Sequence, residues 1–230
     1  MFYFDPLYLI LALPGLLLGL WAQMRVKGTF SKYSKVRTTQ NLTGAEVARH
    51  LLDSQGLYDV RIEETQGFLS DHYDPRSRVL RLSPDVYRVP SVSAAGVAAH
   101  EMGHALQHSA GYGPLQLRSA IVPVVQFSSM LGPILFMIGF LLRFTPLAWL
   151  GVIFFAGAVV FSLITLPVEF NASKRAKALL TSSGFMTTEE VRGVDKVLDA
   201  AALTYVAAAI AAIGQLLYYV LLLTGGSRRD

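Results

Sequence analysis

Four stretches of this chain, 7–22, 120–142, 146–166 and 200–223, are almost continuously apolar. Their lengths are close to the roughly 17 to 25 residues that carry a helix across the hydrocarbon core of a bilayer. Enclosing four such helices in a soluble core takes more polar sequence than this chain has. Of its 230 residues, 53% are hydrophobic, and the mean hydropathy is +0.44. We therefore expect all four to span a membrane. The first run opens on no basic segment, and its positive residues follow it, so it reads as a retained anchor rather than a cleaved leader.

Basic residues favour the cytoplasmic side of a membrane, and theirs is an uneven distribution here. Twelve of the 20 lie between Arg25 and Arg118 and five between Lys174 and Lys196, leaving Arg143, Arg228 and Arg229. With four spans, both polar stretches face the cytoplasm when the N-terminus, the Arg143 loop and the C-terminus lie outside. The net charge of +4 then follows from topology. No basic stripe with interleaved aromatics is present, which argues against a nucleic-acid partner.

Between the first two spans the sequence reads as folded. Thr43 and Glu46 have capping-box spacing and open a helix over 45–54. Stretches 58–63 and 67–71 read as short strands. Turn residues at 72–77 precede an alternating strand at 78–83, giving a hairpin. Ser93 is placed to cap a helix over 94–109 that Gly111 ends. After the third span, 168–180 reads as a helix, Gly184 as a break, and Thr187 with Glu190 as the start of a helix running into the last span.

The chemistry sits in the helix before Gly111. His100, Glu101 and His104 fit the H-E-x-x-H pattern, which places two imidazoles on one helix face where they can share an ion. Glu101 can then serve as the base for a metal-activated water. Cysteine is absent, so a transition-metal site has to use imidazole and carboxylate. A catalytic zinc site needs a third protein ligand. His108 is too far from His100 for this, about 12 Å along the axis at ~1.5 Å per residue. Glu169 is the better candidate, because a carboxylate at a membrane boundary is costly to bury without a partner. Ser173, one turn on, can support the ligands, whereas Asn171 points elsewhere and is given no role.

Together 98–108 (AAHEMGHALQH), 166–175 (LPVEFNASKR) and 71–83 (DHYDPRSRVLRLS) resemble the YugP-type neutral zinc metallopeptidases of bacterial membranes. The resemblance implies a gluzincin-like site: His100, His104 and Glu169 binding one zinc ion per chain, with Glu101 as catalytic acid and base. More distantly the pattern is similar to the HtpX and CAAX-prenyl protease group, whose third-ligand motif is E-x-x-x-D. Ser173 stands where that aspartate would be. The resemblance also implies that one hairpin strand, 78–83, acts as an edge for pairing an extended peptide. For the oxyanion stabiliser Tyr205, Arg175, His108 and His72 remain open.

The expected protein is thus a mainly α membrane protein with four transmembrane helices and a small cytoplasmic α+β region. Residues 1–23 form the anchor, 24–118 the cytoplasmic region with hairpin and zinc helix, and 119–167 a transmembrane hairpin. Residues 168–197 form cytoplasmic helices with the third ligand, and 198–230 the last span and tail. The expected function is a zinc-dependent endopeptidase at the cytoplasmic face of a bacterial plasma membrane, with protein or peptide segments as substrates. The alternative is a membrane adaptor that binds client proteins without cutting them, although such a binder has no need of Glu101. A cation transporter fits less well, because the spans carry no charged residue at their centres.

Overall fold

The computed structural model describes residues 6–226. Met1 to Asp5, with which the anchor reading begins, and Arg228 and Arg229, used in the charge argument, lie outside the described residues. The element order is α1 (Pro6–Leu11), α2 (Leu13–Tyr33), α3 (Gly44–Ser54), β1 (Arg61–Glu64), β2 (His72–Asp74), β3 (Val79–Leu82), α4 (Pro84–Tyr87), α5 (Val92–Ser109), α6 (Gly113–Leu141), α7 (Thr145–Ser182) and α8 (Thr188–Gly226). Among the described residues, four helical stretches are long and apolar enough to cross a membrane: Pro6–Tyr33, Gly113–Leu141, Thr145–Ser182 and Thr188–Gly225.

The chain divides into two compact units. The apolar unit comprises residues up to Ala22, Gln116–Pro167 and the chain from Thr204. Only 11–17% of the most apolar window of each long helix is buried, so its outward side chains need lipid around them. Within the unit, helices approach through small residues, as is usual where lipid removes the hydrophobic drive to associate. A Cβ on Gly139 would lie 2.3 Å from the Ala148 backbone nitrogen, and one on Gly151 equally close to that of Phe136. Phe136 stacks on Tyr219 with ring centroids 3.9 Å apart.

The polar unit comprises Gln23–Leu115 and Val168–Leu203. Helix α3 forms where expected: the Thr43 side chain and the Glu46 carboxylate satisfy each other's backbone N–H groups. Its face of Val47, Ala48, Leu51 and Leu52 is fully buried, packed with Leu80, Leu82 and the alanines of α5. Thr187 and Glu190 cap α8 in the same reciprocal way. Helix α7 runs unbroken through Pro167, so 168–180 continues the third span rather than starting afresh.

Several expectations need correction. The strand expected at 58–63 is shifted to Arg61–Glu64. Residues 67–71 are not a strand: Gly67 and Leu69 have φ of 111° and 52°, and the Ser70 hydroxyl closes a local turn onto the Gln66 carbonyl. Ser91, not Ser93, caps α5; its hydroxyl accepts from the Ala94 N–H, and Ser93 lies inside the helix. The strand order is β1-β3-β2, with β1 parallel and β2 antiparallel to β3. The strand expected at the edge is therefore the central one, and Val79, Leu80 and Leu82 are buried on both its faces. The edge next to α5 is β2.

Candidate metal centre

Helix α5 is rich in alanine and glycine, and this brings it close to α7. A Cβ on Gly103 would lie 2.6 Å from the Ala172 carbonyl oxygen, so only glycine permits this approach. Beside that contact on α5, and one turn before it on both helices, three donors converge. His100 Nε2 lies 3.2 Å and His104 Nε2 3.6 Å from Glu169 Oε2, and one ligand atom from each residue falls within 4.8 Å of the others. Donors held about 2.0–2.2 Å from one zinc ion at tetrahedral angles stand roughly 3.3–3.5 Å apart. Both imidazole–carboxylate distances lie close to that spacing, and two imidazoles and one carboxylate are zinc-type ligands.

Glu169 is only 2% exposed and His104 9%, and a carboxylate buried this deeply requires a cationic partner. Burial, the largest influence on His104, disfavours its imidazolium. The Glu169 hydrogen bond and the charges of Glu101 and Glu169 outweigh it, so the pKa lies above the ordinary imidazole value. The second nitrogens of both rings are also engaged. His100 Nδ1 lies 3.0 Å from Ser173 Oγ, and His104 Nδ1 lies 3.0 Å from Gln107 Oε1. Such contacts orient ligand rings.

Glu101 lies outside the donor cluster. Its Oε2 accepts from the Tyr73 N–H of β2 at 3.1 Å. The Tyr73 hydroxyl lies 2.9 Å from His108 Nδ1, a second tie between β2 and α5. Asp71 accepts from the Ser83 N–H and hydroxyl. Burial, reinforced by the charge of Glu101, raises the Asp71 pKa despite those hydrogen bonds.

The structure thus brings together His100, His104, Glu169, Ser173 and, beside them, Glu101. Of the remaining candidates, His108 is tied to Tyr73, and His72 is exposed and engaged by the Ser70 carbonyl. Arg175 Nε donates to Asn171 Oδ1, and Tyr205 lies on α8 in the apolar unit. Two residues were missed. Asn171, expected to point elsewhere, accepts from Gln107 Nε2 at 3.0 Å, and Gln107 reaches both His104 and the Val168 carbonyl. The signal for Gln107 was its position three residues after His104, on the same helix face.

Residues 8–224 match the family described as "Putative neutral zinc metallopeptidase". The chain is 54% identical over 220 residues, 96% of its length and 98% of the relative's, to the "Putative membrane protease YugP" of Bacillus subtilis (strain 168). No solved structure matches the chain.

Proposed function

The chain belongs to the neutral zinc metallopeptidase family, and from that premise we propose that it is a zinc-dependent endopeptidase working at the cytoplasmic face of a bacterial plasma membrane. His100, His104 and Glu169 hold one zinc ion, and Glu101 is the general base and acid. Zinc held there would supply Lewis acidity, lowering the pKa of a water molecule to about 7 and polarising a carbonyl. Glu101 takes the proton from the attacking water as the new carbon–oxygen bond forms, then returns it to the leaving nitrogen as the carbon–nitrogen bond breaks.

The observation that carries this reading is the position of Glu101. It is adjacent in sequence to a candidate ligand, yet its carboxylate reaches the edge strand rather than the donor cluster. The Tyr73 N–H points away from β3 toward Glu101, so a peptide adding to the outer edge of β2 would lie alongside the base. Such pairing uses main-chain hydrogen bonds and imposes little sequence preference. The cytoplasmic orientation is supported by the basic residues between Arg25 and Arg118 and between Lys174 and Lys196.

The test uses the purified full chain in detergent. It should hold about one zinc per chain, and less in His100→Ala or Glu169→Ala. Glu101→Gln should keep its zinc and lose cleavage of an unfolded protein substrate by about 10²-fold or more. Undiminished cleavage in Glu101→Gln would overturn the mechanism. Zinc with no cleavage in the wild-type chain would favour the client-binding adaptor.

A further inference from the structure

Lipid offers no hydrogen bonds, so a polar side chain inside a membrane span has to be satisfied by protein. The four apolar runs hold seven serine, threonine or glutamine residues, and most are satisfied where they stand. Ser128, Ser129 and Ser162 donate to carbonyls of their own helices. Gln215 shares a hydrogen bond with Tyr219, and Thr204 is engaged as well. Thr165 lacks a partner, but it is buried within the protein, where no outside group reaches it.

Gln126, in α6, is the exception that faces outward. Its backbone carbonyl accepts from Ser129, but the residue is exposed and its side-chain amide has no hydrogen-bond partner among the described residues. Depth excludes water as that partner. Gln126 lies six residues into the run that begins at Ala120, about 9 Å at ~1.5 Å per residue, and a side chain four bonds long spans less than that.

The inward face of α6 is taken by Gly132, Phe136 and Gly139, which pack against α7. Gln126 lies on another side, in a row with Ser119, Pro123, Met130 and Met137. All five are exposed, Met130 by 61% and Met137 by 54%. They recur after four, three, four and then seven residues, the spacing of a seam between two helices. Copies of one membrane protein insert the same way round, so Gln126 of one copy lies at the same depth as Gln126 of another. An amide is also self-complementary, because its amino group donates and its oxygen accepts. Two of them facing across a two-fold axis along the membrane normal form reciprocal hydrogen bonds. A second copy therefore needs nothing beyond what is already exposed, whereas any other partner has to bring a polar group of its own to that depth.

We infer that the chain forms a parallel homodimer along α6, with Gln126 of each copy paired at the seam and Met130 and Met137 packed along it. This goes beyond the zinc-site reading and does not depend on it.

The experiment follows self-association of the full-length chain in phospholipid bilayers, by energy transfer between two dye-labelled pools diluted with lipid. Gln126→Leu, which keeps the size and removes the amide, should weaken the dimer roughly 10-fold. Gln126→Asn, which keeps a self-complementary amide, should stay close to wild type. Proximity is read separately by oxidative cross-linking, since the chain has no cysteine. Met130→Cys should give a disulfide-linked dimer. Val124→Cys, 69% exposed on another side of the same helix, should not. If Gln126→Leu does not insert, these two cysteine variants, which leave the amide intact, decide. A wild-type chain that stays monomeric as lipid is reduced, equal association of Gln126→Leu and wild type, or cross-linking at Val124 in preference to Met130 would each overturn the inference. So would a different protein held in stoichiometric amount by wild type and lost in Gln126→Leu, because that gives the amide another partner.

Discussion

At the scale of single residues, each ligand-type side chain depends on a neighbour of more ordinary appearance. Ser173 is 9% exposed and touches His100 Nδ1. Ser173→Ala removes that contact without adding bulk, and zinc affinity should drop by about 10-fold while the fold persists; chelator competition and thermal unfolding check the two halves separately. Asp71 gives a prediction in pH. Its folded pKa is raised by burial and by Glu101, so the native state holds its proton more tightly than the unfolded chain does. That contribution to stability is fully present below the unfolded pKa and is lost as pH rises through the raised folded value. Asp71→Asn keeps an acceptor for Ser83 and cannot ionise. The difference in unfolding midpoint between variant and wild type should therefore move in favour of the variant from pH 4 to pH 7, measured without metal. A difference that does not vary with pH would refute this.

At the scale of elements, the site exists because two helices approach more closely than side chains normally allow. Gly103 lies against backbone atoms of Ala172, which cannot move aside as the tip of a flexible side chain could. Gly103→Ala should push α5 from α7, cost about 1–3 kcal/mol as overpacking does, and lower zinc content although no ligand is changed. Gly28 is the control: it lies in α2, and a Cβ there would meet nothing within 4 Å. Gly28→Ala should be neutral or stabilise by roughly 0.5–1 kcal/mol through helix propensity. Unfolding curves and metal analysis of the two variants separate a packing requirement from a general effect of alanine. The sheet imposes a different constraint. Because β3 is buried between its neighbours, β1 and β2 are the edges, β2 being the one next to α5, and Asp74 closes the turn between β2 and β3 by accepting from Arg76 N–H and the Ser77 hydroxyl. Those hydrogen bonds, Ser77 first, hold the Asp74 carboxyl down at about 2, so this turn stays closed over the working pH range.

At the scale of the whole molecule, the proposed cytoplasmic orientation of the polar unit sets which of its residues a membrane-impermeant reagent reaches. The chain has no cysteine, so single cysteines report cleanly. Arg76→Cys, in the exposed turn between β2 and β3, should react with a membrane-impermeant maleimide only in inverted vesicles. Arg143→Cys, between α6 and α7, should react only in intact cells or spheroplasts. The opposite pattern would reverse the orientation and place the proposed endopeptidase outside.

The sequence by itself determined the four apolar helices, the capping boxes at Thr43 and Thr187, and the pairing of His100 with His104, because each depends on residues within one continuous segment of the chain. Only the tertiary structure decided that β3 is central and that Glu169 reaches the imidazoles. It also brought Asn171 and Arg175 behind His104 through Gln107. The contacts between α5 and α7 join residues about 60 to 70 positions apart, and they depend on how closely two helix backbones can pack, a distance that no local pattern of residues records.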